Sequence, residues 1–350
     1  MQRKMASIQR VRELRPIEGA DLIELAKIEG WNCVVKKGEF HVGDLGVYFE
    51  IDAVPPDSGP FRFLWTPRTH DGPAPFPRPE KYRIRTMKLR GQLSQGLLMP
   101  LAVVDEVLGD TPRERREYEE GDDLTALLVV GKYEPPLPSG DFRGGFPAVL
   151  PKTDEVRIQS EPGLLDELCG LPYVVTQKDD GTSATFLVNP LDGQFHACGR
   201  NFSILEGENI YWNAARRHEL PEVLGRNPDY AVQGELVGPG IQKNRLGLKS
   251  QELHVFNVYH LREARYLTHD ETDTFCRDHN LPTVATVERG DCFDETVESL
   301  LRKAEGTYPG TKNEREGLVI RSADNRRSEI LQARLSFKAI SNRFLLKEED

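Results

Sequence analysis

The chain has 350 residues and carries 46 lysines and arginines against 56 aspartates and glutamates, a net charge of −10 at neutral pH. That length can bury two sizeable cores, and the acidic balance bears on solubility without deciding function, since a local basic stripe can still govern docking. Five scattered cysteines with no C-x-x-C pair, and histidines with no H-E-x-x-H spacing, argue against a disulfide framework and a structural zinc site. No apolar run reaches the length of a membrane helix and no signal peptide opens the chain, so a soluble, cytoplasmic and monomeric protein is expected.

The N-terminal third reads as β-rich. Alternating apolar runs at 22–28, 31–35, 45–51 and 97–104 are separated by Gly, Pro and Asp turn signals, a spacing that suits a small OB-like barrel. Between them, 55–79 is proline-rich yet holds Phe61, Phe63, Trp65 and Phe76, and reads as a long barrel loop with aromatics to pack. The run from Lys81 to Gly91 has five basic residues and no acid. On a strand, Lys81, Arg83 and Arg85 share a face, with Lys88 and Arg90 beyond them. Two readings stand about evenly: a phosphate-tracking stripe and a solvated edge protected by charge. Residues 106–123 read as a solvated helix or loop, and 133–145, rich in Pro and Gly, as the likeliest joint. The expected division is a barrel over 1–110, a linker over 111–150 and a second domain over 151–350.

In Lys152-Thr153-Asp154-Glu155-Val156-Arg157-Ile158-Gln159, Thr153 or Asp154 can cap a following helix, although Arg157 also invites a functional reading. Further on, Lys178-Asp179-Asp180-Gly181 separates two β-branched runs, 173–176 and 182–188, and reads as a tight turn between paired strands. A lysine is thereby held at a strand end. Downstream come Gln233-Gly234-Glu235-Leu236-Val237-Gly238-Pro239-Gly240-Ile241-Gln242-Lys243-Asn244, the aromatic strand His254-Val255-Phe256-Asn257-Val258-Tyr259, Glu316-Gly317-Leu318-Val319-Ile320-Arg321, and Ser336-Phe337-Lys338-Ala339-Ile340-Ser341-Asn342.

In order, these stretches resemble motifs I, III, IIIa, IV and V of the covalent nucleotidyltransferases (DNA ligases, RNA ligases and capping enzymes), with Arg200 where motif Ia belongs. The 151–159 segment resembles one that precedes motif I in several RNA ligases. A barrel ahead of the core, and about a dozen residues after Lys338, resemble the fifth RNA ligase family, with no C-terminal OB domain. The resemblance implies an α+β chain, an OB-like barrel followed by an antiparallel-sheet, ATP-grasp-like nucleotidyltransferase domain. It implies an ATP-dependent ligase of RNA or nicked RNA/DNA duplexes, with Mg²⁺ or Mn²⁺ as cofactor. A DNA-joining ligase, or a nucleic-acid-binding protein with a decayed core, is the alternative.

By the same resemblance Lys178 is the nucleophile that carries AMP. Gln177, Arg157, Gln159, Arg200, Glu235, Phe256, Glu316 and Lys338 bind nucleotide, with Phe256 stacking on adenine, unless that ring has a simple core role. A lysine with an ordinary pKa near ~10.4 is protonated and cannot attack. The acids Asp180, Glu235 and Glu316 are therefore expected to hold the metal, through water, without trapping the lysine. Ser336 stands where some RNA ligases have a first lysine of K-x-K, so one phosphate contact is either missing or supplied by Arg334.

Overall fold

The computed structural model describes residues 3–66, 77–109, 117–133 and 142–347. The chain divides into two compact units, 1–136 and 137–350.

In the first unit a five-stranded antiparallel sheet runs in the order Trp31–Lys36, Ile23–Ile28, Ala6–Pro16, Leu45–Phe49, Leu97–Pro100. The strand Ala6–Pro16 has no clean alternation, burying three residues in succession at its start, so no period-2 signal marks it. The run expected as a strand over 97–104 is a strand only to Pro100; Ala102–Leu108 is a helix that buries Val103 and Val104 in the barrel core. The hairpin of Thr86–Leu89 and Gln92–Gln95 turns at Arg90-Gly91, both at positive φ, the backbone of a two-residue primed turn. It joins the Trp31 strand through side chains, Ser94 Oγ accepting from Val34 N at 3.0 Å. In the proline-rich loop Phe61 and Trp65 are buried while Phe63 is 60% exposed; Phe76 lies outside the described residues. Residues 117–133, expected in a linker, belong to this unit: Gly131–Lys132 pairs with Ala53–Val54 and Asp123 bridges Ser7.

The second unit holds two sheets. The larger is antiparallel, in the order Phe142–Gly145, Phe202–Ile204, Phe195–Cys198, Thr182–Val188, Tyr230–Val237, Glu252–His260, Arg265–Tyr266. Val232, Leu236, Val255 and Val258 on one face meet helices Ile210–Arg217, Leu220–Arg226 and His269–Asp278 in a shared core. The smaller sheet runs Val156–Arg157, Ser336–Ile340, Gly317–Ser322, Tyr173–Lys178, Thr286–Gly290. Its core face carries Tyr173, Val175, Leu318, Ile320, Phe337 and Ala339 against helices Leu164–Leu168 and Val297–Ala304. Strand side chains alternate between faces, so Lys178, Arg321, Ser336 and Lys338 project from the other face; Gln233 and Glu235 project from the face of the larger sheet opposite Val232 and Leu236, which farther along carries a small apolar cluster of Leu150, Leu187, Cys198, Ala231 and Tyr259.

One expectation and one alternative reading fail. The strands around Lys178-Asp179-Asp180-Gly181 are not a hairpin: the first lies in the smaller sheet and the second in the larger. The turn-forming Asp-Gly pair serves instead for a sharp crossing between sheets. Nor does 151–159 open a helix. It forms a short strand parallel to Ser336–Ile340 and then a 3₁₀ turn, Ile158–Ser160.

Candidate active site

The site forms where the Lys178 strand ends. Its last ladder pair is Lys178 with Gly317, and Lys338 pairs with Val319, which pairs with Thr176, two residues along the same face. Arg157 pairs with Lys338 from the far side and is itself buried, as is Gln159. Two glycines allow the close approach. A Cβ on Gly181 would stand 2.2 Å from the Leu236 carbonyl oxygen, and one on Gly317 would stand 2.2 Å from that of Ala339. No real side-chain carbon tolerates either distance.

Each residue of the crossing segment is gripped by a side chain. The Tyr308 hydroxyl donates to the Lys178 carbonyl at 3.1 Å and accepts from Asp180 N at 2.9 Å. Asp179, 3% exposed, accepts from Gln177 Nε2 at 2.7 Å and pairs with His254 Nδ1 at 2.7 Å. Asp180 pairs with Arg245 Nε at 3.1 Å, and the Arg245 guanidinium also lies 4.5 Å from the centre of the Phe344 ring. Gln242 Nε2 donates to the Gly181 carbonyl. None of the four clamps (Tyr308, His254, Arg245, Gln242) was named from sequence as a site residue. His254 and Gln242 lie within the resembling stretches, whereas Arg245 and Tyr308 lie outside them.

Lys178 Nζ is 2.7 Å from Glu316 Oε1, so the lysine is paired, contrary to the expectation that the acids leave it free. Burial pulls its ammonium down, but Glu316, Glu235 and Asp180 outweigh burial and raise its pKa. Glu235 is pushed up to about 8 by burial; Lys178 pulls it back, and Glu316, Asp179 and Asp180 push it further. Among the described residues no hydrogen bond or ion pair reaches the Glu235 carboxyl, unlike the other three acids. Of the expected metal-binding acids, Glu316 and Asp180 are thus already engaged by cations. Among the described residues no three of His, Cys, Asp or Glu converge closely enough to ligate a metal directly.

The remaining predicted residues are distributed around this centre. Phe256 is the extra residue of a bulge opposite Gln233-Gly234; it is half-buried and is not among the residues of the apolar core that Val255 and Val258 join. Arg200 is partly exposed and forks onto both oxygens of Asp154, at 2.6 and 2.8 Å. Ser336 Oγ donates to Glu155 at 2.8 Å and accepts from Arg321. Arg334 is no free substitute for a lysine there: it pairs with Glu155 at 3.3 Å, donates to Asn257 and stacks 3.9 Å from the Tyr266 ring centre. Burial, then the neighbouring Arg334, lowers the Arg321 pKa to about 10, against the pull of Glu155.

In the N-terminal unit the basic run is not one strand. Lys81 to Arg85 precede the hairpin, and Arg83 is tied down, 3.2 Å from Asp52 and 4.3 Å from the Tyr133 ring centre. Lys81, Arg85, Lys88 and Arg90 are exposed.

Comparison with known proteins fits this layout. An OB-fold domain family matches residues 5–101 and the RNA ligase family matches residues 171–340. A Naegleria gruberi RNA ligase solved with pyrophosphate superposes with a TM-score of 0.85 at 36% identity, covering 100% of both chains. This chain belongs to the RNA ligase family. A lysine-to-alanine mutant of the same Naegleria ligase with ATP and Mn matches at 35% identity and a TM-score of 0.84, covering 99% of this chain and 100% of that one. A glutamate-to-alanine mutant with AMP and Mn matches at the same identity, score and coverage. No curated protein matches the chain. The chain is accordingly a ligase enzyme of mixed α+β fold, with an OB-fold domain ahead of an antiparallel-sheet ligase domain. Among the described residues no helix is long and apolar enough to cross a membrane.

Proposed function

We propose that the chain is an ATP-dependent RNA ligase that seals 3′-OH and 5′-phosphate ends, at nicks in duplexes whose 3′-OH strand is RNA. The observation that carries this reading is a lysine at a strand end, paired at 2.7 Å with Glu316, beside a Glu235 carboxyl that no hydrogen bond or ion pair reaches among the described residues. An attacking amine and a cluster of hard oxygen donors are what nucleotidyl transfer from ATP requires.

In the first step Lys178 Nζ attacks the α-phosphorus of ATP, a phosphorus–nitrogen bond forms and pyrophosphate leaves. Glu316, already hydrogen-bonded to the ammonium, is the group placed to take its proton. Next, a 5′-phosphate oxygen displaces the lysine from phosphorus, giving a 5′–5′ pyrophosphate-linked AMP. Finally the 3′-OH attacks that strand's phosphate and AMP departs. Arg157 and Lys338, paired across neighbouring strands, and the buried Gln159 just beyond Arg157 hold nucleotide phosphates and ribose, and Gln177 fixes Asp179 behind the lysine. Phe256 offers its half-buried ring to adenine, and Arg200, paired with Asp154, contacts ribose or phosphate.

The donor set fits a hydrated divalent cation. It consists only of carboxylate oxygens, hard donors of the kind Mg²⁺ takes directly or through its waters, and Glu235, pushed up to about 8 by burial and then by Glu316, Asp179 and Asp180 against the pull of Lys178, is the acid that added positive charge would relieve. Mg²⁺ or Mn²⁺, bound there on Glu235, Glu316 and Asp180, supplies positive charge that favours the neutral lysine and offsets charge on the phosphates. The exposed Lys81, Arg85, Lys88 and Arg90 contact nucleic-acid phosphates.

The test is intact-protein mass after incubation with ATP and Mg²⁺ or Mn²⁺, beside a GTP control, with protein first stripped by pyrophosphate. The expected result is a gain of one AMP that is lost in Lys178→Ala. Normal ligation by Lys178→Ala overturns the reading, and nicks with RNA or DNA 3′ ends decide between RNA and DNA joining.

A further inference from the structure

Tyr308 belongs to none of the motifs that resemble known ligases. It sits in the loop between helix Val297–Ala304 and strand Gly317–Ser322, and it is 1% exposed. Its own position is fixed: Tyr308 N donates to the Asn313 carbonyl at 3.0 Å, and Thr307 bridges Glu314.

The phenol oxygen makes three bonds. It donates to the Lys178 carbonyl at 3.1 Å, and it accepts from Asp180 N at 2.9 Å and from Glu316 N at 3.1 Å. Those three backbone groups lie where the ladder stops. Lys178 and Gly317 are the last pair between their strands, and the chain then leaves for the other sheet. Backbone polar groups buried at such a divergence need partners, and one side-chain oxygen supplies all three. It thereby ties the backbone of the attacking lysine to the backbone of its carboxylate partner. Burial holds the phenol well above its ordinary pKa, so the hydroxyl keeps the proton it donates.

We propose that Tyr308 is a positioning residue for the nucleophile: its hydroxyl sets the spacing of Lys178 and Glu316 and so governs formation of lysyl-AMP. The proposal rests on the reading of Lys178 as the nucleophile. A misplacement of about 1 Å at a reacting centre can cost roughly 10²-fold in rate. Final sealing of a strand that already carries AMP no longer requires attack by the lysine, so it depends on this spacing far less.

The experiment compares wild type and Tyr308→Phe in two single-turnover assays, lysine adenylylation against ATP concentration, and sealing of a chemically 5′-adenylylated RNA at a nick. For Tyr308→Phe the expected fall in the maximal adenylylation rate is about tenfold to a hundredfold. The half-saturating ATP concentration and the sealing rate should each stay within about threefold. Equal adenylylation rates overturn the proposal, and so does a parallel fall in adenylylation and sealing, which marks a general structural role. If wild type takes no AMP, the nucleophile reading fails and this proposal fails with it; if wild type takes AMP, only the role of Tyr308 is at stake. Should Tyr308→Phe not melt cooperatively, the same pair of rates is read in Tyr308→4-aminophenylalanine, whose amine still donates but accepts poorly. There, a selective slowing of adenylylation supports the role, and unchanged or jointly reduced rates overturn it.

Discussion

Replacing Arg245 by Met tests the account of the crossing segment most directly. Arg245 lies 3.1 Å from Asp180, the two side chains are 9% and 14% exposed, and the guanidinium also donates to the Lys347 carbonyl at 3.4 Å. Breaking a buried pair by removing one partner costs ~3–5 kcal/mol, because the other charge is left uncompensated. Asp180 keeps further contacts through its backbone, and Met fills part of the space against Phe344, so a loss around the lower end of that range, about 2–4 kcal/mol, is expected for Arg245→Met. For a unit of about 200 residues each kcal/mol lowers Tm by roughly 2–4 °C, which gives a fall of about 5–15 °C. Differential scanning calorimetry measures it, with Asp180→Asn and the double variant completing a cycle. The double variant should recover at least about 1 kcal/mol relative to the sum of the singles, since no buried charge is then left alone. A fall in Tm below about 1 °C, or strict additivity in the cycle, refutes the reasoning.

Other expectations follow from the same geometry. Gly181→Ala forces a Cβ to within 2.2 Å of a backbone oxygen and should abolish adenylylation, while Gly144→Ala, with nothing within 4 Å, should leave activity unchanged. His254 offers a pH test. Burial lowers its pKa, but the bond to Asp179 outweighs burial and leaves the folded value above the ordinary 6.5. Its contribution to stability is therefore complete below 6.5 and disappears as pH rises through the folded value. His254→Gln should accordingly lower Tm more at pH 5.5 than at pH 9, and an equal loss at both would contradict the charged pair. Finally, replacing both Lys88 and Arg90 by Ala should weaken RNA binding and reduce the slope of log affinity against log salt by about 2, whereas Arg83→Ala, already bound to Asp52, should not alter that slope.

The chemistry-bearing strands were legible because each motif is contiguous. Alternation within a strand fixes which side chains share a face, and in the structure Lys178, Arg321 and Lys338 stand on the face away from the core. The OB-fold strands showed for the same reason, except Ala6–Pro16, whose consecutive buried residues give no period. The Asp-Gly pair after Lys178 misled because turn chemistry reports a local change of direction and is silent on which sheet receives the next strand. Arg245 and Tyr308 were invisible for another reason. Their roles come from meeting Asp180 and Lys178 across 65 and 130 positions of sequence, and neither carries a local signature. The arginines at 83 and 334 were overvalued for the converse reason, since composition counts charge but cannot show that Asp52 and Glu155 already engage it.

The strand Phe142–Gly145 has a practical consequence for dissecting the chain. It is the outermost strand of the larger sheet and covers Phe202–Ile204, with the tilted rings of Phe142 and Phe202 4.9 Å apart between centres. A ligase fragment begun at Pro151, the boundary that the motifs alone suggest, would strip this cover and bare a row of unsatisfied backbone donors and acceptors beside an exposed aromatic ring, an invitation to intermolecular strand pairing. Proteolytic trimming or recombinant truncation intended to yield a monodisperse catalytic fragment must therefore cut ahead of Phe142.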